Sequence, residues 1–463
     1  MLEARTAPGG PRPAAWVVGA VLVAIASLPL GRALAFDASA WVVWGREIWS
    51  LSLDTNAGPS FKPFPLLVTG PAAVLGDGAA LVWLVVARAG ALLAVVGAAR
   101  LAGRVAGGPG ALTAAAAVLL SPWWLPNAAL GNADPLLGAL IAWALLAAAD
   151  GDHRRAFALA ALGALVRPEV WPFLGLYGLW AIGRRRLAVV PVVAAGAAVL
   201  VLWIVPDLLS SGLASTRGAT GTASAGSAAL TDVPFLTVWE DLGRQGPWLV
   251  LLLALLGGGW ALAAGGARVV GRRAGAWRPW TRRISPPGAL GGAERRRAGV
   301  TRAVEPAAWL LLTLGYALLV AVMAQAGFAG NPRYLVPALT LLAATAGAAV
   351  AALPRRPGAA PLVAVVLVAA LAALGQDELR AGARLVDDRA TARRALERAI
   401  DAAGGSEALR RCGPVRSGPG PRTLVAELID ESIPDAAGRP GAADAAVLTG
   451  RGGGWIVRPP RCR

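Results

Sequence analysis

Apolar runs of roughly 17 to 25 residues, the length that crosses a hydrocarbon core as helix, recur along the chain between short polar or basic breaks. Eleven such segments can be drawn, at 14–34, 78–100, 111–126, 133–149, 156–167, 169–182, 188–206, 247–266, 307–328, 334–353 and 359–376. The fifth and sixth are short for a bilayer and meet at a proline, which predicts a bent pair. The first carries a basic flank and an Ala33-Leu34-Ala35 stretch like a signal-peptide cleavage site, but its length and the nearby Asp37 favour an uncleaved span.

The breaks have patterns of their own. Within the segment 35–76, "WVVWGREIWSL" (41–51) sets Trp41, Trp44, Ile48 and Leu51 at helical spacing, which predicts an amphipathic helix lying at the membrane interface. The segment 207–246 is rich in Gly, Ser, Thr and Ala and is expected to be mobile over 210–230, and the basic segment 267–306 is expected to be disordered. After residue 376 hydropathy falls, and "DELRAGARLVDDRATARRALERAIDAAGG" reads as a charged amphipathic helix ending at Gly404 and Gly405. "TLVAELI" (423–429) and "GWIVR" (454–458) read as strands. The fold class is thus an all-α polytopic membrane protein of about 11 transmembrane helices (1–376), followed by a small α+β C-terminal domain (377–463).

Composition agrees: 56% of the 463 residues are hydrophobic, 15% are charged, and mean hydropathy is +0.58. The net charge of +17 does not point to nucleic acid, because the basic residues fall in short loops between spans. Ten arginines lie between 267 and 306, with others in "DHRR" (152–155), "GRRR" (183–186) and "PRRP" (354–357). That placement is the positive-inside signature, with an added attraction to anionic membrane lipids. It puts the N-terminus inside and the C-terminus outside. The predicted outer loops then carry few basic residues, chiefly Arg46, Lys62, Arg167, Arg217, Arg244 and Arg333. Cys412 and Cys462, the only cysteines, both fall in the predicted extracytoplasmic domain, where a disulfide is favoured over free thiols. His153 is the only histidine and lies in a basic loop, so no Cys/His metal site is available, and no P-loop or dinucleotide fingerprint follows a strand.

The candidate chemistry gathers at the predicted outer ends of spans. Asp37 follows the first. "GPSFKPFPLLVTGP" (58–71) holds Lys62, the only lysine in a chain whose other basic residues are all arginine. "GNADP" contributes Asn132 and Asp134, "LVRPEVWP" Arg167 and Glu169, and "GNPRYLVP" Arg333 and Tyr334. Ionisable residues near membrane depth cost about 2.5–3.5 kcal/mol each on insertion, so they pair or serve a site. Arg167 and Glu169 can neutralise each other and Arg333 can snorkel to lipid phosphate; convergence of all five groups on one face points to a site.

An Asp just past the first span, an amphipathic outer helix, a "KP" turn, "RPE-W-P" and "N-P-RYL-P", in this order, resemble the GT-C superfamily of membrane glycosyltransferases, more narrowly the mannosyltransferase-like and arabinosyltransferase-like proteins of actinobacteria. The resemblance covers residues 14 to about 355. It implies an inverting transfer from a polyprenyl-phosphate sugar to a cell-envelope glycan, lipid or protein, on the outer face of the cell membrane. It implies Asp37 as the general base on the acceptor hydroxyl. Lys62, Arg167 and Arg333 are the candidate cations for the donor phosphate, since the leaving group is a phosphate monoester. Lys62 would act as a compact point charge. Trp41, Trp44, Asn132, Asp134, Glu169 and Tyr334 are candidate substrate contacts. The family often shows a paired acidic motif where this chain has only "FDASAW"; a divalent cation stays open as a cofactor. Two other readings stand beside this one, a transporter or flippase for a lipid-linked glycan and a non-catalytic assembly protein of the same fold.

The predicted sidedness has a direct test. A membrane-impermeant thiol label should reach Cys412 or Cys462 in intact cells after reduction. Labelling that requires permeabilised cells would reverse the topology.

Overall fold

The computed structural model describes residues 13–212, 226–275, 290–352, 359–411, 413–418, 420–438, 445–449 and 454–460. Cys412, Cys462 and most of the 210–230 stretch lie outside the described residues. The chain is mostly helical. It opens with α1 (Pro13–Ala26), α2 (Phe36–Trp49), α3 (Pro63–Ala72) and the long α4 (Gly78–Leu119). The short α5 (Trp124–Ala129) leads into α6 (Asp134–Ala149), α7 (His153–Val166), α8 (Trp171–Gly183) and α9 (Val189–Ser211). Then come α10 (Pro234–Gly243), α11 (Trp248–Gly275), α12 (Leu290–Gln325) and α13 (Val336–Ala348). The last span belongs to α14 (Ala359–Ala402), which is followed by α15 (Gly405–Arg410), α16 (Arg422–Leu428) and α17 (Ile433–Ala437).

Among the described residues, six helices are long and apolar enough to cross a membrane, or up to seven if α10 and α11, bent by 90° at their junction, make one span. Several of the eleven predicted segments are shorter pieces, such as α6 with 16 residues and α8 with 13. Two others are arms of α4. Gly107 breaks that helix with φ 68° and ψ −158°, a conformation that disfavours any side chain. Pro109 follows, and a Cβ on Gly103 would stand 3.4 Å from Ala111, so the chain folds back on itself. Helix α13, buried along its whole length, lies across both arms. At the crossing a Cβ on Gly347 would stand 2.9 Å from Ala102 and from Ala114, so the backbones meet as closely as they do because Gly and Ala line the contact.

The bent pair is observed. Arg167, at the end of α7, is extended (φ −149°, ψ 135°) as the residue before a proline should be, and a short 3-10 turn (Pro168–Val170) leads into α8. Other expectations need correction. The helix around Trp41 and Trp44 does not lie at an interface: both indoles are 0% exposed. Trp41 packs edge-on against Trp83 at 5.2 Å, and Trp44 Nε1 donates to the Asp54 carbonyl. Helical spacing reported one apolar face correctly, but the polar flank is covered by a partner from the far end of the chain. The basic 267–306 segment is helical where it is described, because α11 runs to Gly275 and α12 starts at Leu290; Ala- and Arg-rich sequence sustains helix well. The last span and the charged helix are one element, α14, so the predicted boundary at 376/377 falls inside a helix.

Beyond α14 lies a small module. "TLVAELI", expected to be a strand, is the helix α16. Its β-branched residues alternate as in a strand, but Leu424, Ala426, Glu427 and Leu428 favour helix and its inner face is claimed by packing. Among the described residues there are three strands: β1 (Arg416–Ser417) pairs parallel with β2 (Ala446–Thr449), which pairs antiparallel with β3 (Trp455–Arg458), Val447 opposite Val457. The expected "GWIVR" strand is β3. The module docks on α2, where Arg46 donates to the Asp430 carboxylate at 2.7 Å and to the Glu431 carbonyl at 2.9 Å.

The start of α2 is held by Arg88 of α4. Its guanidinium donates to the Ser27 carbonyl and hydroxyl at 2.9 Å, to the Gly31 carbonyl at 2.6 Å and to the Ala129 carbonyl at 2.9 Å. Trp83 Nε1 donates to the Gly131 carbonyl at 2.9 Å, and Ala35 N to the Leu130 carbonyl at 2.8 Å. The chain leading to Asp37 and the chain leading to Asn132 are thereby zipped together. Replacing Arg88 by Leu should strand these buried carbonyls at a cost on the order of 3 kcal/mol. Thermal unfolding in micelles should show a clear loss of stability; a parent-like melting temperature would remove this clamp from the account.

Candidate active site

Three of the site's charged or polar groups are placed by the same local device. Lys62 (φ −141°, ψ 118°), Arg167 and Asn331 (φ −62°, ψ 142°) each precede a proline that opens a helix. The proline ring bars helical backbone at the residue before it and is tolerated at the first helical position. The pre-proline residue is therefore extended, and here the polar groups at these helix starts line one cavity.

That cavity has a volume of about 1010 Å³ and is lined by Asp37, Lys62, Asn132, Arg167, Glu169, Arg333 and Tyr334, among others. At its centre one carboxylate oxygen, Asp37 Oδ2, accepts from Arg333 Nη2 at 2.8 Å and stands 3.5 Å from Lys62 Nζ. Arg333 also donates to Asn132 Oδ1 at 2.8 Å, and Asn132 Nδ2 to Asn127 Oδ1 at 2.9 Å. Lys62 Nζ lies 5.0 Å from the Trp41 ring centre, a cation–π contact that leaves the ammonium directed at Asp37. A second group sits beside the first. Arg167 donates to Asp134 at 2.9 Å and makes a two-point contact with Glu169 at 2.5 and 3.2 Å. Its guanidinium stacks on Tyr334 at 3.6 Å from the ring centre.

Charge counting separates the two groups. Lys62 and Arg333 against Asp37 leave one positive charge; Arg167 against Asp134 and Glu169 leaves one negative charge. All except Arg333 are buried, so neither excess is relieved by water. The first group has cation to spare for an anionic ligand. Arg167 has none, and its part is to hold two carboxylates and a tyrosine in place. Burial pushes the Asp37 carboxyl up, but the charges of Arg333 and Lys62, with their hydrogen bonds, outweigh it and hold the group below the usual carboxylate range. A carboxylate so held is ionised and correspondingly weak as a base until its cations find another partner.

The sequence-derived set is thus largely assembled in one place, Asp134 just behind the lining. Trp41 and Trp44 are the exceptions, packed in the core behind Lys62 and away from the lining. Residues that sequence reading missed include Asn127, Asp241, Arg389 and Arg422. The last two belong to the C-terminal region, and nothing local to them signals that they meet a cavity some 350 positions earlier in the chain. Among the described residues, no group of three or more His, Cys, Asp or Glu is placed to hold a metal ion. An apolar pocket of about 170 Å³ lies between α6, α7, α8, α12 and α13 and reaches Val170, the neighbour of Glu169; it is lined by Leu145, Phe173, Leu312 and Leu341, among others.

Arg167→Ala should leave Asp134 and Glu169 buried without a counter-charge, at a cost of about 3–5 kcal/mol. The loss should be read in thermal unfolding, and adding Glu169→Gln should recover part of it. Equal stability of Arg167→Ala and the parent would show that the triad holds nothing together.

No protein-family model and no curated protein matches the sequence. Among solved structures the chain is similar to ArnT from Cupriavidus metallidurans, both bound to undecaprenyl phosphate and in the apo state. Each comparison gives a TM-score of 0.54 at 14% identity, over 95% of this chain and 93% of that one. At this identity the likeness shows the fold, which the two chains share over nearly their whole lengths.

Proposed function

We propose that the protein is an inverting glycosyltransferase that moves a hexose or pentose from a polyprenyl-phosphate donor to a hydroxyl of a cell-envelope acceptor, on the outer face of the membrane. One observation carries this reading: a single buried carboxylate, Asp37, shared by two cations, Lys62 and Arg333, at the centre of a large cavity. The solved relative that shares the fold was captured with undecaprenyl phosphate, which supports the donor class. The apolar pocket that reaches Val170, next to Glu169, suits part of an isoprenoid chain.

In this mechanism the donor phosphate enters between Lys62 and Arg333, and each cation exchanges its contact with Asp37 for the phosphate oxygens. Asp37 loses the charges that depress it and keeps the burial that raises it, so it becomes a base as the donor arrives. The acceptor hydroxyl oxygen attacks the anomeric carbon from the face opposite the phosphate. The bond from that carbon to the phosphate oxygen breaks, its electron pair leaves with the polyprenyl phosphate, and the hydroxyl proton passes to Asp37. Lys62 and Arg333 stabilise the charge that develops on the leaving oxygen. Arg167, held by its two carboxylates, positions Tyr334 and Glu169 along the wall.

Asp37→Asn keeps the shape and removes the basicity, so sugar transfer from a polyprenyl-phosphate donor should slow by about 10²–10⁴-fold. The same change frees both cations, so binding of undecaprenyl phosphate should be retained or tightened. Lys62→Ala should weaken that binding, and Lys62→Arg should do so less. Parent-like transfer by Asp37→Asn would rule it out as the base, and parent-like lipid binding by Lys62→Ala would rule out the phosphate contact.

A further inference from the structure

The cavity has more cations than the donor phosphate requires. Six line it: Lys62, Arg167, Arg244, Arg333, Arg389 and Arg422. Four of them are in ion pairs, Lys62 and Arg333 with Asp37, Arg167 with Asp134 and Glu169, and Arg244 with Glu240 and Asp241. Arg389 and Arg422 have no carboxylate partner among the described residues. Arg422 Nε is buried with no hydrogen bond, and burial without a counter-charge pushes this guanidinium below its ordinary value. A guanidinium left in that state carries a desolvation cost that an apolar side chain of similar length would avoid.

Both arginines come from the C-terminal region and both line the cavity that holds Asp37. The Arg422 guanidinium lies 5.2 Å from the ring centre of Phe36, the neighbour of Asp37. Ala390, next to Arg389 on α14, packs in a cluster with Ala33, Leu130 and Ala35. Asp37 therefore has Lys62 and Arg333 on its carboxylate and Arg422 beside its neighbour Phe36, with Arg389 on the wall of the same cavity.

We propose that Arg389 and Arg422 form a second anion subsite, which binds a phosphate or carboxylate on the acceptor close to the hydroxyl that receives the sugar. Assignment of this anion to the acceptor rests on the transfer reading above. The planar fork of a guanidinium matches the oxygens of either group in two-point contacts. Positive potential confined in a low-dielectric cavity also draws an anionic ligand inward and disfavours a neutral one. The C-terminal module becomes the part of the chain that selects the acceptor, while the membrane helices select the donor.

The test uses full-length protein in lipid nanodiscs, with and without saturating undecaprenyl phosphate. Glucose 1-phosphate, glucuronate and glucose serve as probes, and binding is followed by the fluorescence of Trp123 and Trp203, which line the cavity. At least one charged sugar should bind with the lipid phosphate present while glucose does not, and the stronger of the two identifies the group. Arg389→Ala and Arg422→Ala should each weaken that binding about tenfold, the scale of one charge-assisted contact, and leave undecaprenyl phosphate binding unchanged. Lys62→Ala should do the reverse. Arg422→Lys should restore part of the binding, and exposed Arg389 tests the subsite alone if Arg422→Ala does not fold. Binding of glucose equal to that of both charged sugars, or arginine variants that bind them as the parent does, would overturn the subsite. Arginine variants that lose the lipid phosphate instead would place both residues in the donor site. Failure of the parent to bind undecaprenyl phosphate would strike the transfer reading, and the probes would then test the anion site without it.

Discussion

Arg333 and Asp37 stand 296 positions apart in the chain and 2.8 Å apart in space. A charge buried without a partner costs several kcal/mol, so the buried Asp37 depends on the cations that meet it, Arg333 and Lys62. This constraint ties the start of α2 to the turn before α13, and those two elements lead into the core through Trp41 and the wholly buried α13. The same rule assembles Arg167 with Asp134 and Glu169 a short distance away. The polar end of the molecule is thus two buried ion groups of opposite excess charge, held by prolines that set the backbone ahead of three helices. Everything else at this end, from the Arg88 clamp to the docking of the C-terminal module by Arg46, serves to keep those groups in register.

Opposite excess charge gives the two groups different chemistry. The positive one can exchange its carboxylate for a phosphate with little movement, because both cations already converge on one oxygen. The negative one is saturated, with the donors of Arg167 committed to carboxylates on two different elements, and it acts as a fixed wall. In the proposed mechanism a base coupled in this way to the donor's charge stays idle until the donor binds, so the acceptor is activated only once the sugar is in place. Burial of Asp37, Lys62, Arg167, Asp134 and Glu169 strengthens each of these interactions.

The C-terminal module extends the same logic. Its residues reach the cavity through a helix of 44 residues that is membrane span at one end and wall of the site at the other. Continuity of α14 brings Arg389, and the module brings Arg422, to the cavity wall. On the proposed reading, the membrane helices would serve the lipid donor and the appended module the acceptor.

The sequence by itself determined a good deal. Apolar runs of bilayer length fixed the membrane class, because no water-soluble fold tolerates so much contiguous apolar surface. Asp37, Lys62, Arg167, Glu169 and Arg333 stood out because charge is costly beside such runs, and X-Pro pairs marked where the helices restart. Tertiary structure decided what these local signals could not carry. Helical periodicity showed one apolar face on the "WVVWGREIWSL" helix but could not show that α16 would cover its polar flank, so Trp41 and Trp44 moved from an expected interface to the core. Strand-like alternation in "TLVAELI" was overridden by the face that packing claimed. Arg167 and Lys62 looked equivalent as isolated cations; only the count of carboxylates around each separated a saturated guanidinium from a cation with charge to spare. Arg389 and Arg422 had no local mark at all, since what makes them notable is a cavity built by residues some 350 positions away. Burial is a property of the pair, and pairs distant in sequence are chosen by the fold.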